Sequence, residues 1–118
     1  MSFMPVQINH LNQLMNAAQL RQGVISQNLA NVNTPNYQRL DVQFEDLLAE
    51  HLRSPDAAAG NLPQPTVVPE AGLNNRADGN NVDVDREIGQ LNRNAMMYQT
   101  YSQLMASQFD LLRRATSG

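Results

Sequence analysis

Ser26-Gln27-Asn28-Leu29-Ala30-Asn31-Val32-Asn33-Thr34-Pro35-Asn36-Tyr37 reads as a helix running into a stop. Leu29 and Ala30 keep the helical register. Thr34-Pro35 cannot continue it, because the proline ring pushes the preceding residue out of the α region and proline has no N–H to donate. Asparagine, glycine aside, enters the left-handed conformation most readily, and the amides of Asn31, Asn33 and Asn36 can serve a helix's last orphan carbonyls. A stop needs only the proline and one asparagine. The expectation is therefore that Pro35 and Asn36 set the angle at which the chain leaves the helix, while Asn28 and Asn31 bond to a neighbouring molecule.

Upstream, from about Asn9, a helix is expected with its packing on Leu11, Leu14, Ala18, Ile25 and Leu29, which recur at helical spacing. Its other faces carry almost nothing but Asn and Gln, and Arg21 is the only formal charge in residues 1–38. A lone solvated helix shows charge opposite its apolar stripe. An amide-covered one does not repel copies of itself, so this helix reads as packed on several sides within an assembly, the alternative being a soluble helix of skewed composition. Gly23 costs about 1 kcal/mol relative to Ala in a helix interior. With Ser26 and Ala30 it makes a small-residue face that would let another backbone approach, the alternative being a glycine that is simply tolerated there.

Beyond Tyr37 the period changes. Leu40, Val42 and Phe44 alternate with Arg39, Asp41 and Gln43, the mark of an extended segment, before Phe44, Leu47, Leu48 and Leu52 return to helical spacing. Residues 43–53 are expected to be a short amphipathic helix with Glu45, Asp46 and Glu50 on its outer face. Residues 54–81 break the composition: Pro55, Pro63, Pro65 and Pro69 stand among Ala57-Ala58-Ala59-Gly60 and Asn74-Asn75, with bulk only at Val67-Val68 and Leu73. Such a segment buries too little to offset its ordering entropy and reads as a long irregular loop.

The loop closes on a turn, Asp78-Gly79-Asn80-Asn81, and a long helix follows. Asp83 is placed to cap it; Asp85 and Glu87 in the first turn and Arg113 and Arg114 in the last suit the helix dipole. Between them Val84, Ile88, Leu91, Ala95, Tyr98, Ser102, Met105, Phe109 and Leu112 step by fours and threes, with Ser102 the one polar member. That is the pattern of a coiled-coil seam, on a rod roughly 45 Å long. Met97, Tyr101, Leu104 and Leu111 form a second stripe beside it, which a single partner helix would leave partly wet. The predicted architecture is all-α: long N- and C-terminal helices pairing as a coiled coil, a short third helix and a long irregular central loop. Residues 1–38, 39–53, 54–81 and 82–118 are its four parts, within one discontinuous domain. Spacing leaves parallel and antiparallel pairing equally open.

No chemistry stands out. The chain has 118 residues and no cysteine, which excludes disulfides, Cys-ligated zinc and Cys nucleophiles. Gly60, Gly72 and Gly79 have no phosphate-loop spacing, so no nucleotide cofactor is implied. His10 and His51 lie in different segments without a ligand pattern, so no metal is expected. Ser26 has no basic partner to activate it, and no catalytic residue is assigned. A net charge of −3 favours neither nucleic acid nor an acidic membrane surface. No stretch is long and apolar enough to enter a bilayer, and residues 1–6 lack the basic and apolar regions of a cleavable signal.

The opening stretch resembles the signature of the bacterial flagellar axial proteins, S-x-N-[IL]-A-N-x-x-T-P-x-Y, with Asn28, Ala30, Asn31, Thr34, Pro35 and Tyr37 matching. The residue after the proline is commonly glycine, and Asn36 tolerates the same backbone. Asp78-Gly79-Asn80-Asn81-Val82-Asp83-Val84-Asp85-Arg86-Glu87 is similar to the D-G-N-x-V-D-x-D-x-E that opens the last helix of the proximal members of the flagellar basal-body rod family, and Asn94 to Tyr98 matches their N-x-x-x-Y. The resemblance covers residues 9–53 and 78–114. It implies a structural, non-enzymatic rod subunit, exported to the periplasm without a cleavable signal and assembling helically through its terminal helices. Its implied partners are other copies, other rod proteins, and membrane-ring and export-gate components of the basal body. The alternatives are another rod protein of the same family, or a cytoplasmic helical adaptor or export chaperone that holds a partner's helix. The second would not explain the Asn-Ala-Asn to Tyr37 turn.

Overall fold

Why the two ends of the chain meet is visible in what each helix buries. The computed structural model describes residues 6–54, 62–70 and 75–117; expectations for residues 1–5, 55–61 and 71–74 lie outside them. In chain order the elements are α1 (Val6–Ala30), β1 (Leu40–Gln43), α2 (Glu45–Arg53), β2 (Thr66–Pro69) and α3 (Val84–Thr116). Asp83 caps α3, its Oδ1 accepting from the N–H groups of Asp85 at 3.0 Å and Arg86 at 3.3 Å. These are donors the first helical turn cannot satisfy by itself.

α1 and α3 lie side by side and antiparallel. The Asn94 amide donates to the Ala18 carbonyl at 2.8 Å, and Gln19 donates to the Tyr98 hydroxyl. Asn28 reaches Glu87 at one end of the pair, while Ile8, Asn12 and Met15 share a groove with Met105 and Phe109 at the other. The molecule is correspondingly elongated, 64 × 29 × 19 Å. Its apolar core is small and lies along α1: Ala17, Phe44 and Leu48 form one cluster with Leu14 against it, and Ile8, Ala18, Val24, Ile25, Val42 and Val82 are also buried. α2 is fastened to α1 by the one charge α1 owns. Arg21 grips both oxygens of Glu45, at 2.7 and 3.0 Å, and also donates to the Val42 carbonyl.

The all-α expectation needs one correction. β1 and β2 pair antiparallel, Leu40 opposite Pro69 through Gln43 opposite Thr66, so the loop before α3 contains a strand. Val67-Val68 supplies the β-branched residues a strand needs, and the extended β1 supplies an edge. The ladder phase is set by Glu70, whose N–H donates to the Arg39 carbonyl. Leu40 and Val42 therefore turn their backbone groups the other way, toward α1, where Asn28 bonds Leu40 and Arg21 bonds Val42. On β2 the outward positions are Pro65, Val67 and Pro69, of which only Val67 has an N–H to offer. Prolines at alternate positions blunt a free sheet edge.

Candidate functional site

The turn that ends α1 is clasped by the turn that begins α3. Asn36 takes the left-handed backbone, φ 62°, and donates its N–H to the Asp78 carbonyl at 2.8 Å. Opposite it Gly79 has φ +83°, and a Cβ there would collide with the Asn36 side chain. Only glycine fits that position. Asn80 is fully buried and its amide donates to the carbonyls of Asn31, Val32 and Thr34 at 2.9, 3.2 and 2.8 Å. These carbonyls belong to the turn just past α1, held here from 46–49 residues away. Arg76 adds a bond to the Val32 carbonyl.

Two asparagine side chains act as extra peptide groups for β1. Asn28 accepts from the Leu40 N–H and donates to the Leu40 carbonyl, both at 2.9 Å; it also accepts from the Tyr37 hydroxyl and donates to Glu87. An amide has two donor hydrogens and two lone pairs, so Asn28 is saturated inside the subunit and has nothing left for a neighbour. That corrects the expectation placed on it. Asn31 also bonds within its own turn, to the Gln27 carbonyl and the Thr34 hydroxyl. Asn81 sits at the end of the ladder, accepting from the Arg39 N–H at 2.6 Å and donating to the Glu70 carbonyl at 2.8 Å.

Beneath these amides lies a buried charge cluster. Arg39, 1% exposed, donates through Nε and Nη2 to both oxygens of Glu87, which is 0% exposed, and through Nη1 to Glu70. Arg86 closes the cluster on the other oxygen of Glu70 at 2.9 Å. Burial works against the Arg39 charge, but the hydrogen bonds and fields of Glu87 and Glu70 outweigh it and hold the guanidinium above its usual pKa. For Glu70, burial is likewise outweighed, by Arg86 and Arg39, and its carboxyl is held below the usual range. Burial, then the Glu87 charge, pushes the Tyr37 phenol up. Among the described residues no buried side-chain polar atom lacks a partner.

Of the motif residues predicted from sequence, Asn28 is buried and Asn31 and Tyr37 are half-buried, while Ala30, Thr34, Pro35 and Asn36 are exposed at the surface of the turn. On α1, Ala18 and Ile25 are buried and Leu11, Leu14 and Leu29 half-buried. The seam predicted along α3 coincides only in part with the face turned to α1. Leu91, Tyr98, Met105 and Leu112 are half-buried, but Val84, Ile88 and Phe109 are 41%, 45% and 46% exposed and Ala95 is exposed as well. The residues α3 buries are Glu87 and Asn94. Sequence reasoning missed Arg39, Glu70, Asn80 and Asn81 as site residues and treated Glu87 as a dipole charge. The signal was the cluster of polar residues in and after the Asp78-Gly79 turn, whose partners sequence alone does not name. No group of His, Asp or Glu among the described residues could hold a metal ion, and no helix there is long and apolar enough to cross a membrane.

Comparison with known proteins places this arrangement. A family model described as flagella basal body rod protein matches residues 9–38, which span α1 and the turn after it. FlgB of Borreliella burgdorferi is 30% identical over 120 residues, covering 86% of this chain and 89% of that one. FlgB of Bacillus subtilis is 29% identical and the match covers 100% of this chain and 98% of its relative; for Escherichia coli FlgB the figures are 34%, 74% and 75%. The chain belongs to the FlgB family of flagellar basal body rod proteins, structural subunits of the proximal rod.

Proposed function

We propose that this rod subunit assembles through its two long helices, with other copies of itself and other rod proteins covering apolar surface that one chain leaves open. The observation that carries the reading is α3. Val84, Ile88 and Phe109 on one flank of the strip that faces α1, and Met97, Leu104 and Leu111 on the other, are exposed. Apolar surface of that extent along one helix marks an interaction site. Neighbours meeting the two flanks differ in what they present, so the contacts are heterologous and build an open stack rather than a closed ring. The half-buried positions of α3 keep heptad spacing, which supports coiled-coil-like packing between the helices. On this reading the working place is the periplasmic rod, where membrane-ring and export-gate components are further neighbours. The test is direct. Ile88→Asp and Leu104→Asp should each leave the chain folded and abolish motility, and electron microscopy of basal bodies should place the tagged wild-type chain at the proximal rod. Density elsewhere in the basal body, or normal swimming in both variants, would overturn it.

A further inference from the structure

α3 carries two competing heptad stripes. One is Val84, Ile88, Leu91, Ala95, Tyr98, Ser102, Met105, Phe109 and Leu112. The other is Glu87, Leu91, Asn94, Tyr98, Tyr101, Met105, Gln108 and Leu112, whose members are buried or half-buried while Val84, Ile88, Ala95, Ser102 and Phe109 are exposed. The two share four positions and differ by one residue at the alternate ones, which turns the stripe's centre by about 50° around the helix. Apolar burial alone favours the first stripe. The subunit uses the second.

What separates the stripes is a pair of polar residues seven apart. Glu87 meets Arg39 and Asn28, and Asn94 meets the Ala18 carbonyl and Gln22. Turning α3 to bury Ile88 and Ala95 would draw Glu87 off Arg39, stripping a buried carboxylate of its partner and leaving Arg39 with Glu70 alone, a heavy penalty. Sliding α3 along α1 would part both sets of partners at once. We infer that Glu87 and Asn94 select which face of α3 meets α1, and in what register, and so keep the more apolar stripe on the outside. Single polar residues at core positions of paired helices set register in this way, giving up stability for specificity. The inference rests on the assembly reading only for its purpose, since the outward stripe is what neighbouring subunits would cover.

The absence of native cysteine allows a clean test on the full chain in dilute solution. Single thiols are placed at Ala95→Cys, outward, and Tyr101→Cys, inward, and alkylation rates are compared with and without Arg39→Met/Glu87→Leu/Asn94→Leu, in which Glu70 still has Arg86. In the parent, the thiol at position 95 should react several-fold faster than that at 101. In the triple variant, helix content by circular dichroism should be kept and this order should narrow or reverse. An unchanged order would overturn the inference. So would unfolding of the triple variant, because the polar pair would then be holding the helices together rather than choosing between faces. Asn94→Leu alone should narrow the difference in part, and rates identical to the parent would remove Asn94 from the assignment. None of these rates depends on rod assembly, so failure of the assembly reading leaves them unmoved.

Discussion

Arg39 and Glu87 stand 48 residues apart in sequence and meet side chain to side chain with almost no access to water, Nε to Oε1 at 2.5 Å. One follows the turn after α1; the other lies in the first turns of α3. Their contact joins the two ends of the fold across everything between, and Glu70, just past β2, is held in the same cluster.

Removing one partner of a buried pair strands the other, which typically costs about 3–5 kcal/mol. Arg39→Met is expected to lower stability by that order, and Glu87→Gln by less, because its amide can still accept from Arg39. Denaturant melts of the two variants check this. A loss within error of zero for Arg39→Met would mean that water reaches the cluster.

The cluster also sets an acid limit. Glu70 is held below its usual pKa, so its stabilisation is fully present above the unfolded value of about 4.3 and is lost as pH falls through the folded value. Arg39 is raised, so its share is present across the acid and neutral range and is lost only in strong alkali. Thermal midpoints measured from pH 8 to pH 3 should stay level on this account and then fall below about pH 4.3. Glu70→Gln should flatten that fall.

Asn80→Ala removes the amide that serves Asn31, Val32 and Thr34. With their buried donor gone, a loss of about 1–3 kcal/mol is expected. Hydrogen exchange should show the change first at the end of α1 and in residues 31–37. Asn36→Gly, by contrast, relieves a left-handed φ and is expected to be neutral or slightly stabilising, whereas Gly79→Ala meets the Asn36 side chain and should destabilise.

Leu91 and Phe109 belong to the same stripe by spacing but not by environment. Leu91→Asp places a carboxylate in a half-buried position and should lower the melting temperature as well as abolish motility. Phe109→Asp, about half exposed at the edge of the groove it shares with Ile8 and Met15, should lower the melt less and still abolish motility. Equal destabilisation by both would mean that the two positions are equally enclosed in the free chain.

Sequence by itself determined the local structure. Proline at position 35, glycine at 79 and aspartate at 83 act within a few residues of themselves, through fixed φ, an absent Cβ and a short capping side chain. The stop of α1, the turn and the start of α3 were therefore legible, as was the extended run from Leu40, and the turn motif with the Asp78–Glu87 segment carried the family. Tertiary structure alone decided the antiparallel pairing, the strand at Thr66–Pro69 and the face α3 turns to α1. The reason is the same in each case. The deciding groups, Asn28, Arg39, Asn80, Asn81, Glu87 and Asn94, are polar, and a polar residue's place depends on a partner that spacing does not reveal. Apolar periodicity pointed to the more hydrophobic stripe, and the hydrogen bonds of Glu87 and Asn94 turned α3 to the other one.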